Sequence, residues 1–379
     1  LIYFEDNRCA LHHGDALEVL RLLPGESANA CVTSPPYWGL RDYNSVGQIG
    51  LEESPDAYVA KLVEVFREVR RVLQDDGTLW LNLGDSYATG GGKVGRCPGG
   101  GKQGERWGVG MSGDRFAARS DFYGGTTPTG PLQQPNRLPI PGMKPKDLVG
   151  IPWMVAFALR ADGWYLRSDI IWAKPNAMPE SVTDRPTKSH EYIFLLSKSE
   201  RYYYDAEAIK EPSVDFGLTS GAYQPPGQTP HSNARMSDKQ RGHSRRHAGF
   251  NDRWDAMERA EQCAGMRNKR DVWTVPPAQF KESHFATFPP DLIRPCVRAG
   301  CPRGGVVIDP FNGAGTSGVV AIEEGCRYVG IDINVDYLGM SVPRLQGTIS
   351  PMFDDVSDFM TVGLNVPTLF DFADDAEAA

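Results

Sequence analysis

Across its 379 residues the chain has no apolar run of the roughly 18 residues that a bilayer-crossing helix requires, which excludes a helical membrane protein. Its first residues, Leu1-Ile2-Tyr3-Phe4-Glu5, lack the basic region and small-residue cleavage site of a secretory signal, so a cytoplasmic protein is expected. Cysteine is sparse. Cys9, Cys31, Cys97, Cys263, Cys296, Cys301 and Cys326 form no CxxC pair, and the closest two, Cys296 and Cys301, are separated by four residues. Such spacing offers neither a zinc site nor a disulfide framework, and reduced, mostly buried thiols with no metal are expected. No internal repeat is present.

Net positive charge is also lacking: the formal charge is −8. That value looks wrong for a nucleic-acid binder, but its distribution reverses the impression. Asp354, Asp355, Asp358, Asp371, Asp374, Asp375 and Glu377 lie in residues 350–379, which hold no Lys or Arg, and without these seven acids the chain carries −1. Residues 231–270 carry ten Lys/Arg against five acids, and residues 88–145 carry eight against three. Local field rather than global charge steers a polyanion, so the acidity is a property of the tail. The tail's composition predicts disorder.

What is present is an alternation of strands and helices. Asp15–Leu20 opens a short helix, Ala30–Thr33 is a buried strand, and Ser54-Pro55-Asp56 caps a helix with Val59, Leu62, Val63, Phe66, Val69 and Leu73 on one face. Asp75-Asp76-Gly77 reads as its stop, before a strand over residues 78–83. Residues 88–145 hold fifteen glycines and little periodicity, as in an insertion. Further patterns give a helix over 152–159, strands over 164–172 and 191–197, a helix over 292–299, a strand over 306–309, a helix over 316–324 and a strand over 328–333. The expected fold class is α/β, a mostly parallel twisted sheet with helices on both faces.

Two constellations carry chemistry. Ser34-Pro35-Pro36-Tyr37-Trp38 follows the apolar run Ala30-Cys31-Val32 and reads as the polar lip of a buried strand. Its prolines fix two φ angles and remove two N–H donors, leaving a stiff turn with outward carbonyls. A hydroxyl, a rigid acceptor and an aromatic face can hold a flat heterocycle by its exocyclic amino group. Trp38 is the aromatic expected in the core.

The second constellation runs Val306-Val307-Ile308-Asp309-Pro310-Phe311-Asn312-Gly313-Ala314-Gly315-Thr316-Ser317-Gly318, a strand, a glycine loop and a helix start. The next strand ends in Gly330-Ile331-Asp332, and that acid suits a ribose diol. Gly313, Gly315 and Gly318 also satisfy GxGxxG, so a nicotinamide or flavin dinucleotide, and hence an oxidoreductase, is the competing reading. Asp309 would repel a pyrophosphate yet welcome the α-ammonium of a methionine moiety. S-adenosyl-L-methionine is therefore the better fit once Ser34–Tyr37 is counted.

Together the two signatures, TSPPYW and DPFNGAGTSG, resemble those of the amino-methylating DNA methyltransferases of the permuted β arrangement, in which the catalytic half precedes the cofactor half. The resemblance covers roughly residues 10–87, 146–205 and 280–346. It implies a Rossmann-like S-adenosylmethionine-dependent fold with circularly permuted motif order. It also implies this division: residues 1–87 the catalytic half, 88–145 a basic glycine-rich insertion, 146–205 the continued core, 206–279 target recognition, 280–349 the cofactor half and 350–379 the acidic tail. By resemblance, Asp309, Phe311, Gly313, Gly315 and Thr316 line the methionine end of the cofactor, Asp332 takes the ribose hydroxyls and Asp15 faces the adenine. His284–Pro289, with Phe288, resembles the segment covering the cofactor, and Arg185-Pro186 and His190-Glu191 resemble the border of the flipped base. Many relatives lack the 88–145 insertion, whose role is either a DNA clamp or a plain loop.

The implied reaction is methyl transfer to an amino group of an extruded base in double-stranded DNA. Ser34 Oγ and the Pro35 carbonyl would accept the amino hydrogens, with Pro36 fixing the turn and Tyr37 stacking on the base. Asp85, at the end of the neighbouring strand, is a candidate proton acceptor, and a helix cap is its alternative role. Arg241, Arg245 and Arg246 are expected on DNA, at phosphates before base edges. No covalent intermediate is expected: Cys31 sits on the buried strand without the Pro-Cys step of a carbon-5 enzyme. Serine at the head of the turn favours cytosine N4, with adenine N6 as the alternative. A cognate restriction endonuclease is a candidate partner.

Overall fold

The computed structural model describes residues 1–40, 45, 47–88, 142–177, 179–212, 266–277 and 288–349. Arg241, Arg245 and Arg246, nearly all of the 88–145 insertion and the acidic tail lie outside the described residues. Two compact units are present, one of Leu1–Tyr204 with Asp271–Ala379 and one of Asp205–Arg270.

In chain order the elements of the larger unit begin with β1 (Ile2–Glu5), β2 (Cys9–His13), α1 (Ala16–Leu22), β3 (Ala28–Thr33), α2 (Pro55–Val72) and β4 (Leu73–Leu83). They continue with α3 (Ile151–Ala161), β5 (Tyr165–Ala173) and β6 (His190–Ser197). In the smaller unit, β7 (Glu211–Pro212) and β8 (Met266–Arg267) pair antiparallel. There Glu211 accepts from Arg267 Nε at 2.9 Å and from Arg270 Nε at 2.7 Å. The larger unit resumes with β9 (Val272–Thr274), α4 (Pro290–Gly300), β10 (Val306–Asp309), α5 (Thr316–Glu323), β11 (Arg327–Asp332) and α6 (Val335–Gln346).

Nine strands form one sheet in the order β1-β2-β11-β10-β3-β4-β6-β5-β9. The pairs β2/β11, β11/β10, β10/β3, β3/β4 and β5/β9 are parallel, whereas β1/β2, β4/β6 and β6/β5 are antiparallel. The mostly parallel α/β sheet expected from the alternation is what forms.

Local chemistry explains the elements around the centre. Asp15 caps α1 by accepting from Leu17 N at 2.9 Å and Glu18 N at 3.1 Å, and Ser54 caps α2 by accepting from Ala57 N at 3.2 Å. The apolar stripe of α2 buries Tyr58, Val59, Leu62, Phe66 and Val69 against Cys31, Leu79, Leu81 and Leu83 of the sheet, together with residues of α1 and α3. On the other face α4 packs on β4, where a Cβ on Gly300 would lie 2.4 Å from Trp80 Nε1. Helix α2 ends earlier than its pattern suggests. Leu73 pairs with Ala28 in the sheet, and the register shift before Ala30/Thr78 shows that Asp75-Asp76-Gly77 lie within β4 rather than before it. His12 in β2 is buried, and burial pulls its imidazole down to about 4, so it serves as a neutral structural residue.

The strand order creates the functional rim. From β3 the chain crosses through α2 to β4 on one side, and from β10 it crosses through α5 to β11 on the other. Between β3 and β10 the connections therefore diverge, leaving a crevice beyond the strands' carboxyl ends, where open α/β sheets bind ligands.

Candidate active site

At that switch point both signature segments open into one cleft. Its lining includes Asp15 from the start of α1, Ser34, Pro35, Pro36 and Tyr37 after β3, and Phe288 before α4. Asp309, Phe311, Gly313 and Thr316 around β10 and Asp332 after β11 complete the expected set in the lining. Of the expected cofactor residues, Gly315 alone is outside the lining. It stands at φ +75° as the cap of α5, where a Cβ would come within 3.0 Å of Ser341.

The turn after β3 is built from both ends. Tyr58 of α2 donates to the Pro36 carbonyl at 2.8 Å, so this carbonyl is satisfied locally, contrary to the expectation that both faced outward unpaired. Among the described residues nothing donates to the Pro35 carbonyl, which leaves it as the acceptor at the cleft. Trp38 is buried, with Nε1 donating to the Glu52 carbonyl at 2.9 Å. Tyr37 packs its ring on Gly84, whose missing side chain makes the space, and its hydroxyl donates to Glu191 Oε2 at 2.8 Å and lies 3.1 Å from Asn82 Oδ1. Burial, and then the Glu191 charge, push the Tyr37 phenol well above its ordinary value, so it stays protonated. Ser34 Oγ lies 3.3 Å from Asn82 Oδ1 and 3.4 Å from the Tyr37 hydroxyl.

The glycine loop is held by its own polar side chains. Asp309 is buried and accepts from Thr33 Oγ1 at 2.5 Å, Ser317 Oγ at 2.6 Å and the Phe311 amide at 3.0 Å. Thus the acid read as a partner for an ammonium is already engaged by three protein donors, and it ties β3 to β10 across the crevice. Asn312 donates to the Gly313 carbonyl and to Ser341 Oγ, both at 2.8 Å, and accepts from the Tyr328 hydroxyl at 2.9 Å. Asp332 Oδ2 accepts from the Gly313 amide at 2.7 Å and Oδ1 from the Asn334 amide at 2.8 Å. Burial raises the Asp309 carboxyl to about 6 and the Asp332 carboxyl to about 7.

Asp85 lies elsewhere. Its Oδ1 accepts from the amides of Ser86 at 2.9 Å, Gly150 at 3.0 Å and Ile151 at 3.2 Å, at the start of α3. Asp85 is not in the cleft lining, and its carboxylate serves the helix end, the alternative weighed from the sequence. Cys31 is fully buried, and burial pushes its thiol well above the ordinary value, so no thiolate is available there.

Several working residues were not singled out from sequence. Thr33 and Ser317 lie within the two signatures, but their role needs the pairing of β3 with β10. Asn82, from the middle of the site network, is the polar residue in the otherwise apolar end of β4, Leu79–Leu83, which was a legible signal. Glu191 was placed near the base by resemblance, without its bond to Tyr37.

The cleft's chemistry discriminates between ligands. Among the described residues its lining holds three carboxylates, Asp15, Asp309 and Asp332, and no Lys or Arg. Apolar walls come from Ile49, Phe288, Phe311 and Ile333. A pyrophosphate would find three acids and no cation, whereas a ligand with a sulfonium, an ammonium and a flat adenosine finds complementary charge and surface. The residues present therefore fit S-adenosyl-L-methionine.

A family model described as DNA methylase matches residues 28–342. The Type II methyltransferase M.Cfr9I of Citrobacter freundii is 45% identical over 90% of this chain and 89% of its own length. Similar likeness is found to M.XycI of Xanthomonas campestris pv. cyanopsidis, 44% identical over 89% of this chain and 87% of that protein. M.SmaI of Serratia marcescens is 43% identical over 89% of this chain and 90% of that protein. In solved structures, the fold resembles that of the PvuII DNA methyltransferase (cytosine-N4-specific), with a TM-score of 0.51, 18% identity and coverage of 92% of this chain and 90% of the other.

Proposed function

The chain belongs to the N6/N4 DNA methylase family and is an S-adenosylmethionine-dependent DNA methyltransferase, and from that footing we propose that it methylates the exocyclic N4 of cytosine at a specific site in double-stranded DNA. The observation that carries this reading is the sharing of one cleft by Ser34–Tyr37 and the Asp309–Thr316 loop. When bound, the cofactor supplies an electrophilic methyl group on a sulfonium.

An amino lone pair on a base is delocalised into the ring and must be drawn out of conjugation to react. Ser34 Oγ and the Pro35 carbonyl accept the two amino hydrogens and favour a more tetrahedral nitrogen. Tyr37 stacks against the extruded base. Phe288 and Phe311 wall the cofactor, Gly313 and Thr316 approach its methionine end, Asp332 takes the ribose diol and Asp15 lies by the adenine. Positioning of this kind can supply about 7–11 kcal/mol of barrier lowering. Asp85 has no part in the proposal.

Serine as the first residue of the turn supports cytosine, since the hydroxyl is a single small acceptor where related adenine enzymes more often carry Asp or Asn. Residues 206–279, with Arg241, Arg245 and Arg246, are proposed as the target-recognition region. The likeness to Type II methyltransferases supports a restriction endonuclease of the same specificity as partner.

The test is tritium transfer from labelled cofactor into DNA, followed by nucleoside digestion. N4-methylcytosine is expected, and N6-methyladenine would overturn the base assignment. Ser34→Ala combined with Tyr37→Ala abolishes transfer while S-adenosylhomocysteine still raises the melting temperature. Unchanged turnover in that variant would reduce the turn to a structural element.

A further inference from the structure

Beneath the Pro-Pro turn a buried polar network leads away from the cleft and ends on β6. Glu191 and Lys174 form an ion pair whose side chains are only 16% and 19% exposed. Lys174 Nζ binds Glu191 Oε1, and the other oxygen, Oε2, accepts from the Tyr37 hydroxyl at 2.8 Å and from Asn82 Nδ2 at 3.4 Å. Asn82 is itself oriented, since Nδ2 donates to the Tyr192 carbonyl at 3.0 Å and so turns Oδ1 toward Ser34 and Tyr37.

The donors in this network have one consistent direction. A carboxylate only accepts, so Tyr37 must spend its single hydrogen on Glu191. Its oxygen is then free to accept from Ser34, 3.4 Å away, and Asn82 Oδ1 offers a second acceptor at 3.3 Å. Either way the serine hydrogen points inward, and its lone pairs are left facing the cleft.

We infer that Glu191 terminates a one-way hydrogen-bond chain, Ser34 to Tyr37 to Glu191, which holds the serine lone pairs toward the target amino group and receives the proton that methylation releases. The inference rests on the proposed placement of that amino group against Ser34, and it does not depend on which base carries it. In the step, the amino nitrogen gains a bond to the methyl carbon as the cofactor's S–C bond breaks, leaving sulfur neutral and the nitrogen cationic. The nitrogen keeps the electron pair of one N–H bond, and that proton passes to Ser34 Oγ. The Ser34 proton moves to the Tyr37 oxygen and the Tyr37 proton to Glu191 Oε2, so the carboxylate ends as the neutral acid beside the Lys174 ammonium. Asp85, engaged by three amides, has no free place in such a route.

Glu191→Gln tests the inference because it keeps size while removing the charge and replacing one of the two acceptor oxygens by a donor NH2. Lys174 claims the amide oxygen, the amide NH2 then faces Tyr37, and the chain's direction is reversed. The expected loss in kcat is about 10²-fold, typical of removing a positioned proton acceptor, with the KM for cofactor unchanged. Tyr37→Phe, which deletes the relay hydroxyl, lowers kcat similarly, and the double variant is no worse than either single one, as for residues acting as a unit. In cofactor-free protein labelled with [13Cζ]tyrosine, the Tyr37 resonance, assigned by its loss in Tyr37→Phe, shifts in Glu191→Gln.

A Glu191→Gln enzyme within about twofold of wild-type kcat, additive losses in the double variant, or an unmoved Tyr37 resonance would each overturn the inference. Should Glu191→Gln fail to fold, as read by loss of stabilisation by S-adenosylhomocysteine, Tyr37→Phe alone decides: full kcat there overturns the route. Ser34→Ala separates the two levels. Full activity in Ser34→Ala sinks the placement of the amino group, whereas inactive Ser34→Ala with active Glu191→Gln sinks the route alone.

Discussion

Gly84 is the place where one methyl group should disable the site without touching the cofactor. A Cβ there would stand 2.5 Å from Tyr37 Cε2, 3.0 Å from Cδ2 and 3.2 Å from Cζ. Carbon atoms pack at about 3.5–4.0 Å, so in Gly84→Ala the ring must retreat by about 1 Å. The retreat is opposed at the far end of the ring, where the hydroxyl holds Glu191 at 2.8 Å and lies 3.1 Å from Asn82. Forcing a methyl into such a contact costs about 1–3 kcal/mol of stability, and a misplacement of about 1 Å in a positioning group costs about 10²-fold in rate. Gly84 is not in the cleft lining, so S-adenosylhomocysteine affinity stays at the wild-type value. Steady-state tritium transfer gives kcat and KM, and calorimetric titration gives the affinity. A Gly84→Ala enzyme with kcat within about twofold of wild type would show that the position of Tyr37 is not limiting, and the positioning argument would fail.

Two further predictions concern the carboxylates. The Asp332 carboxyl, raised by burial to about 7 from 3.8, holds a proton in the folded chain over a range where the unfolded chain has released it. Its contribution to stability therefore falls as pH rises from about 4 to about 7 and is level above that. Asp332→Asn, which cannot titrate, should show a flatter dependence of melting temperature on pH between these limits, and parallel profiles for variant and wild type would refute the linkage. Asp85→Ala should remove the amide acceptor at the start of α3 and cost about 0.5–2 kcal/mol in denaturant unfolding while leaving kcat in place. A large fall in kcat at unchanged stability would instead restore Asp85 to proton handling.

How far the sequence reached depended on whether the chemistry was local. Ser34–Tyr37 and Asp309–Thr316 were legible because prolines and glycines fix backbone within a few residues, and the strand preceding each is a plain apolar run. The helix opening at Asp15 was legible because capping is local too. β2 was not: its Cys9-Ala10-Leu11-His12-His13 carries two histidines, and His12 is buried where it pairs with Ile331 of β11. α6 contains Gly339 and Pro343, both of which argue against a helix until packing overrules them. The helix stop read at Asp75-Asp76-Gly77 failed because Leu73 joins β4 through its partner Ala28, a contact no local pattern reveals. Glu191 and Tyr37 are 154 residues apart, and only the antiparallel pairing of β4 with β6, which sets Asn82 opposite Ile193, brings them together.

The insertion of β10 and β11 between β2 and β3 also dictates when, during synthesis, such an enzyme can come alive. A ribosome delivers the strands on both sides first and these two last, so the nascent chain waits with a two-strand gap between β2 and β3. Methylating power must arrive as a late, all-or-nothing event after residue 332 emerges. Prematurely terminated chains are then inert products rather than feeble catalysts.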